Sequence, residues 1–371
     1  MDTEDTGYGK SDIINSSALD APEFPYLPQL PKSYRPEIGL IGCGGISEYH
    51  LQAYVDLGLD VVALCSRDIS KAEAHRDRFY PDAQVFDDYR ELLKCQNIDI
   101  IDATPHPPER VAIIEDSLRA GKHVLSQKPF VLDLEVGEGL VTLAQEQNCL
   151  LAVNQNGRWA PHFSYMRHAI AAGCIGEVSH LSLSMQWDHS WTADTPFDDL
   201  EHLLLYDFAV HWFDICTVFF GNQDALSVSA QLKKSPQHKN KSPMIASIII
   251  DYPSGQACLN FNGHVIFGQQ DQMTVSGDKG TLRSTGPSLS EQTVTLSTTD
   301  GHTTPDLQGD WFTNGFQGTM SELCCAIAED RPPFHSAQNN LRTLALTYAA
   351  LASADDGGLP KVRGEVRQAP T

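Results

Sequence analysis

Short runs that are apolar on both faces recur along the first part of the chain, at 37–42, 61–66, 98–103, 122–126 and 149–154. Strands of this kind belong inside a parallel sheet that helices cover on both sides. The stretches between them, 46–57, 69–79, 108–120 and 134–147, space their apolar residues as helices do. Pro107-Pro108 suits a helix start, where a missing N–H has no intrahelical partner to lose. Gly58 and Gly121 stand where helices end. The alternation predicts a doubly wound α/β domain over 36–155.

Past residue 155 the period changes. A helix over 161–172 stops at Gly173, and longer alternating strands follow at 177–187, 225–233, 244–252, 256–267, 271–276, 280–284 and 291–297. Turn signals such as Tyr252-Pro253-Ser254-Gly255 separate them. This pattern predicts a large, mostly antiparallel open sheet with one face covered. Helices over 203–219, 315–329 and 337–353 complete a second α/β domain, 156–371. Residues 1–35 read as an extended arm. Four prolines between 21 and 31 keep that stretch out of helices and central strands, and Phe24, Tyr26 and Leu27 are its expected anchors.

Composition narrows the partners. A net charge of −22, from 48 acids and 26 bases, repels nucleic acid and anionic lipid. No apolar run approaches the roughly 20 residues of a membrane span. Residues 1–10 are acidic and lack an apolar signal core, so a cytoplasmic protein is expected. The nine cysteines contain no Cys-x-x-Cys pair and read as reduced thiols. The histidines match no ligand spacing, so no metal is expected.

The chemistry starts where the first strand meets the first helix. Gly42, Gly44 and Ser47 occupy the three positions of a dinucleotide fingerprint, with Gly45 and Ile46 at the helix start between them. The first glycine permits a tight turn, the second lets a pyrophosphate approach the backbone, and a small third residue lets helix and strand pack closely. Strand, turn and helix together are the context of a Rossmann nucleotide-binding unit. At the end of the second strand, Ser66-Arg67 replaces the acid that would bind the ribose 2′-OH of NAD. A hydroxyl and a guanidinium suit the 2′-phosphate of NADP. NADP is the expected cofactor, and Asp68 leaves NAD open.

Gly121 to Pro129, ending Gln127-Lys128-Pro129, resembles the Glu-Lys-Pro segment of the glucose-fructose oxidoreductase/inositol dehydrogenase/rhizopine catabolism (Gfo/Idh/MocA) family. Asp207-Phe208-Ala209-Val210-His211 is similar to that family's Asp-x-x-x-His helix. Arg158 and Pro161, with the glycines at 173 and 176, resemble its link into the second domain. The resemblance runs from about residue 37 to 353. It implies an NAD(P)-dependent oxidoreductase with Lys128, Asp207 and His211 as the catalytic set. It also puts Thr104, Pro105, Gln127 and Lys128 at the cofactor, and implies a homodimer or homotetramer built on the second-domain sheet. Gln127 departs from the family's usual Glu, and Glu109 stands where His is common.

The same residues make chemical sense alone. Lys128 follows a strand at the carboxyl edge of the sheet, where doubly wound folds bind ligands. Asp207 and His211 are four apart, hence neighbours on one helix face, where the carboxylate can orient the imidazole. A histidine can take a hydroxyl proton as hydride leaves, and a lysine can hold the same oxygen. Asn154, Asn156, Arg158, Trp187, His189 and Trp191 are the candidate substrate contacts. Trp187, His189 and Trp191 alternate and so share a face. Aromatic and polar groups of this kind suit a neutral sugar, polyol or inositol. A glycoside hydrolase using transient oxidation by NAD, and a non-catalytic dinucleotide sensor, are the alternatives.

Overall fold

The computed structural model describes residues 17–221 and 223–369. The first sheet is built from β1 (Glu37–Ile41), β2 (Asp60–Cys65), β3 (Gln84–Phe86), β4 (Ile100–Ala103), β5 (His123–Ser126) and β6 (Leu151–Val153). Helices α1 (Gly45–Leu57), α2 (Ile69–Phe79), α3 (Tyr89–Leu92), α4 (Pro107–Arg119) and α5 (Leu134–Glu146) lie between them. The strand order is β3-β2-β1-β4-β5-β6 and every pairing is parallel. The order reverses between β1 and β4, which opens a crevice at their carboxyl ends. β3 is too short to leave a period in the sequence and was not foreseen there.

After α6 (Pro161–Ala171) comes a nine-stranded sheet made of β7 (Val178–Gln186), β8 (Ser227–Lys233), β9 (Ile245–Tyr252), β10 (Gly255–Asn262), β11 (Gln270–Gly277), β12 (Gly280–Gly286), β13 (Thr293–Thr298), β14 (Gly301–Thr303) and β15 (Lys361–Val362). Its order is β14-β13-β12-β11-β7-β10-β9-β8-β15, and only the β7–β10 pair is parallel. On β7, buried Leu181, Leu183 and Met185 alternate with more open serines, so one face carries the core. Helices α7 (Val210–Phe219), α8 (Trp311–Ala328) and α9 (Ala337–Asp355) complete the chain.

The two cores do not divide at residue 155. Phe316, Met320 and Leu323 of α8 share a core with Ile38, Leu40 and Leu51 of the first sheet and α1. α9 likewise packs against α5 as well as β8. Late helices therefore join the two sheets.

In the arm, Phe24 meets Tyr165 edge-on at 5.2 Å and Tyr26 meets the same ring at 6.3 Å. Leu27 is 39% exposed, so the two aromatic rings are the more buried anchors. Residues 1–16 of the expected arm lie outside the described residues. No described helix is long and apolar enough to cross a membrane.

Candidate active site

The crevice begins at the β1–α1 turn. Gly42 has φ +100°, and a Cβ there would meet Thr104 Oγ1 at 2.6 Å and Pro105 at 2.9 Å. Thr104 Oγ1 donates to the Gly42 carbonyl at 2.6 Å, tying the turn to the end of β4. Gly44 is the N-cap of α1 and provides no side-chain cap. A Cβ at Gly44 or Gly45 would project into open space. Uncapped amides beside open space form an anion site, so these residues fit a pyrophosphate. Ser47 is fully buried; its hydroxyl donates to the Gly44 carbonyl at 2.5 Å and lies 2.9 Å from His75 Nε2 on α2.

At the adenosine end, Arg67 Nη1 lies 2.9 Å from Glu109 Oε1, with side chains 85% and 45% exposed. The guanidinium reaches across the crevice from the β2 end to the first turn of α4. A carboxylate therefore already partners the Arg67 guanidinium.

At the end of β5, Lys128 and Asp207 meet, with Nζ 3.0 Å from Oδ1 and side chains 16% and 18% exposed. The ammonium also donates to the Asp207 carbonyl at 2.9 Å. This corrects the expectation that Asp207 orients His211. Residues Leu204–Phe208 form a π-helical turn, closed by Ala209 N donating to Leu204 O at 2.8 Å, before α7 begins. The wider turn breaks the i, i+4 alignment, and the lysine claims the carboxylate. His211 Nδ1 is buried without a hydrogen-bond partner among the described residues. Burial first, and the Lys128 charge second, hold its pKa well below the usual 6.5. His211 is thus held as a neutral imidazole beside an ammonium.

The wall opposite is aromatic. Trp187 and His189 rings lie 4.3 Å apart, and Trp191 lies 6.1 Å beyond His189. Trp191 is 58% exposed at the rim. Burial pushes the His189 pKa down to about 4, so this side chain is uncharged near neutral pH. The sequence reading missed Trp311, which lies 5.6 Å from His211 in an edge-on contact and donates from Nε1 to Asn156 Oδ1 at 3.2 Å. Its one local signal was the preceding Asp310, which caps α8 by accepting from Thr313 N.

Four expected contacts turn elsewhere. Arg158 is buried, with Nε 2.6 Å from Asp214 Oδ2 and Nη2 2.7 Å from Asp214 Oδ1. Two further donors serve the Phe334 carbonyl and Asn339 Oδ1, both at 2.6 Å. Four of its five N–H groups are used inside the fold and its side chain is fully buried, so it is a structural ion pair. Asn156 holds Trp311. Asn154 and Gln127 are buried, and their amides turn inward to His50. Among the described residues no group of three or more His, Cys, Asp or Glu is placed to hold a metal.

Comparison with known proteins identifies the family. Residues 37–155 match the model of an oxidoreductase family with an NAD-binding Rossmann fold, and residues 163–283 match the GFO/IDH/MocA C-terminal domain. The D-apiose dehydrogenase of Paraburkholderia graminis is 24% identical over 351 residues, covering 89% of this chain and 91% of that protein. The inositol 2-dehydrogenase of Rhizobium meliloti is 25% identical over 327 residues, covering 85% and 96%. An Agrobacterium radiobacter oxidoreductase solved with NAD+, L-tartaric acid and magnesium superposes with a TM-score of 0.81 at 21% identity, covering 89% of this chain and 99% of that one.

Proposed function

The chain belongs to the Gfo/Idh/MocA oxidoreductases, and on that premise we propose that it oxidises a hydroxyl carbon of a sugar, polyol or inositol-type substrate, with NADP preferred over NAD. The observation that carries this reading is the Lys128–Asp207 pair beside the neutral, unpaired His211 at the carboxyl edge of the sheet. When bound, the nicotinamide supplies the hydride acceptor. The chain supplies everything else. Asp207 holds the Lys128 ammonium, which donates to the substrate oxygen and stabilises charge developing there. His211 takes the hydroxyl proton while the C–H electron pair leaves with the hydride and the carbonyl forms. Trp187, His189, Trp191 and Trp311 shape an aromatic wall that excludes water and suits sugar C–H faces.

Replacing Lys128 with methionine should lower kcat by about 10²–10³, the usual effect of losing one oxyanion donor. Dinucleotide binding should hold within a few-fold. Loss of dinucleotide binding with normal kcat at saturation would make Lys128 a cofactor residue only.

NADP preference rests on Arg67. Arg67→Ala should weaken NADP by at least tenfold, as expected for a charge-assisted hydrogen bond of about 1.5–3 kcal/mol, and leave NAD nearly unchanged. Glu109→Gln should tighten NADP by releasing the guanidinium. Equal effects of Arg67→Ala on both dinucleotides would remove Arg67 from the 2′-phosphate.

The outward face of β7, β10 and β11 is rich in Ser, Thr, Gln and Asn and poor in charge, which supports self-association through that sheet. The overall test is a titration with NAD and NADP, then a panel of sugars and polyols followed by nicotinamide absorbance. Net reduction of cofactor supports a dehydrogenase. Release of an aglycone without net reduction would replace it with a hydrolase that oxidises transiently.

A further inference from the structure

A buried polar cluster behind Lys128 takes no part in the proton and hydride steps. His50 on α1, Asp102 on β4, Tyr54 on α1 and Asn154 beyond β6 are fully buried, and Gln127 nearly so. His50 Nδ1 lies 2.7 Å from Asp102 Oδ2, and the Tyr54 hydroxyl donates to the same oxygen at 2.6 Å. On the other side of the ring, His50 Nε2 lies 3.1 Å from Gln127 Nε2 and 3.2 Å from Asn154 Nδ2. Two amide nitrogens converge on Nε2, and Nδ1 faces Asp102. The Gln127 carbonyl end then accepts the Lys128 backbone N–H at 2.6 Å. A continuous chain runs from Asp102 through His50 and Gln127 to the backbone of Lys128.

We propose that His50, oriented by Asp102, is a positioning residue that clamps the Gln127 carboxamide and so fixes the backbone from which the Lys128 ammonium reaches Asp207. The carboxamide at 127 is what this arrangement requires. It offers His50 a donor and Lys128 an acceptor at once, and it leaves Asp102 as the cluster's one carboxylate. His50 also packs 4.6 Å from Phe316 of α8, so the clamp sits where the dinucleotide helix, the sheet and a late helix meet. The inference rests on the reading of Lys128 as the group that holds the substrate oxygen, but its contact chain can be tested apart from that reading.

Three chains decide it: wild type, His50→Phe, which keeps a ring and removes both nitrogens, and His50→Gln, which restores a donor and an acceptor. In His50→Phe, kcat should fall by about 10–100-fold, the size typical when a working group loses its orienting partner. KM and dinucleotide affinity should stay within about threefold, and His50→Gln should recover most of kcat. A merely structural role would lower stability and move KM and kcat together, without rescue. Hydrogen exchange of the Lys128 backbone amide, read by NMR, gives the activity-free arm. The amide should be protected in wild type and exchange at least tenfold faster in His50→Phe. Should that variant not fold, His50→Leu takes its place: faster Lys128 exchange that His50→Gln restores supports the clamp, and unchanged exchange overturns it. Unchanged Lys128 exchange in folded His50→Phe overturns the clamp whether or not any sugar is turned over. Faster exchange with no turnover by any polyol would instead fault the dehydrogenase reading.

Discussion

Turnover should fall by about 10²–10⁴ when His211 becomes alanine, the range expected for loss of a general base, with dinucleotide binding retained. Normal kcat in that variant would remove His211 from the proton step. The pH profile gives a second check. Burial and the neighbouring Lys128 charge depress the His211 pKa well below 6.5, so the base is neutral throughout the physiological range. The acid limb of alcohol oxidation should therefore lie well below pH 6.5, where an ordinary histidine would already have lost activity. The same depression acts on stability. The unfolded chain takes up protons near pH 6.5 that the folded chain refuses, so stability holds above that pH and falls as pH drops below it. His189, pushed down to about 4, and His162, pushed down to about 3, act in the same direction. Melting temperature should decline between pH 6.5 and 4, and a flat profile there would mean these imidazoles are not buried in solution.

Local periodicity made most of the fold legible. The run Val61–Cys65 is apolar on both faces and became the buried part of β2, while the alternation along Leu181–Met185 became the half-covered β7. The glycine turn was legible for the same reason, since Gly42, Gly44 and Ser47 act within one turn of chain. Contacts between distant residues were not. Asp207 seemed bound to His211 by their spacing of four, but a π turn has no period to read, and its true partner Lys128 is 79 residues away. His50 and Asp102 are separated by 52 residues, and no local pattern joins them. Trp311 reaches His211 only because α8 packs back against the first sheet, which no local pattern announces.

Arg158→Met should destabilise the fold by about 3–5 kcal/mol, the cost of leaving one member of a buried ion pair alone. The sequence suggested a substrate arginine because Arg158 follows the last strand of the Rossmann sheet. In the structure its side chain is fully buried, and Asp214 is 2% exposed. Removing the guanidinium leaves the Asp214 carboxylate with the Thr343 hydroxyl at 2.9 Å and no cation. It also strips the Phe334 carbonyl and Asn339 of their donor, and removes a cation resting 4.9 Å from the Phe334 ring. Against a total stability on the order of 5–15 kcal/mol, the loss is large, and the melting temperature should drop by roughly 10 °C. A methionine keeps much of the stem's packing, so the charge and hydrogen bonds account for the change. Pairing Arg158→Met with Asp214→Leu should recover much of the loss, because an apolar pair needs no desolvation of charge. Substrate KM should stay near wild type in whatever fraction remains folded. A raised KM with an unchanged melting temperature would return Arg158 to the substrate pocket and overturn its structural assignment.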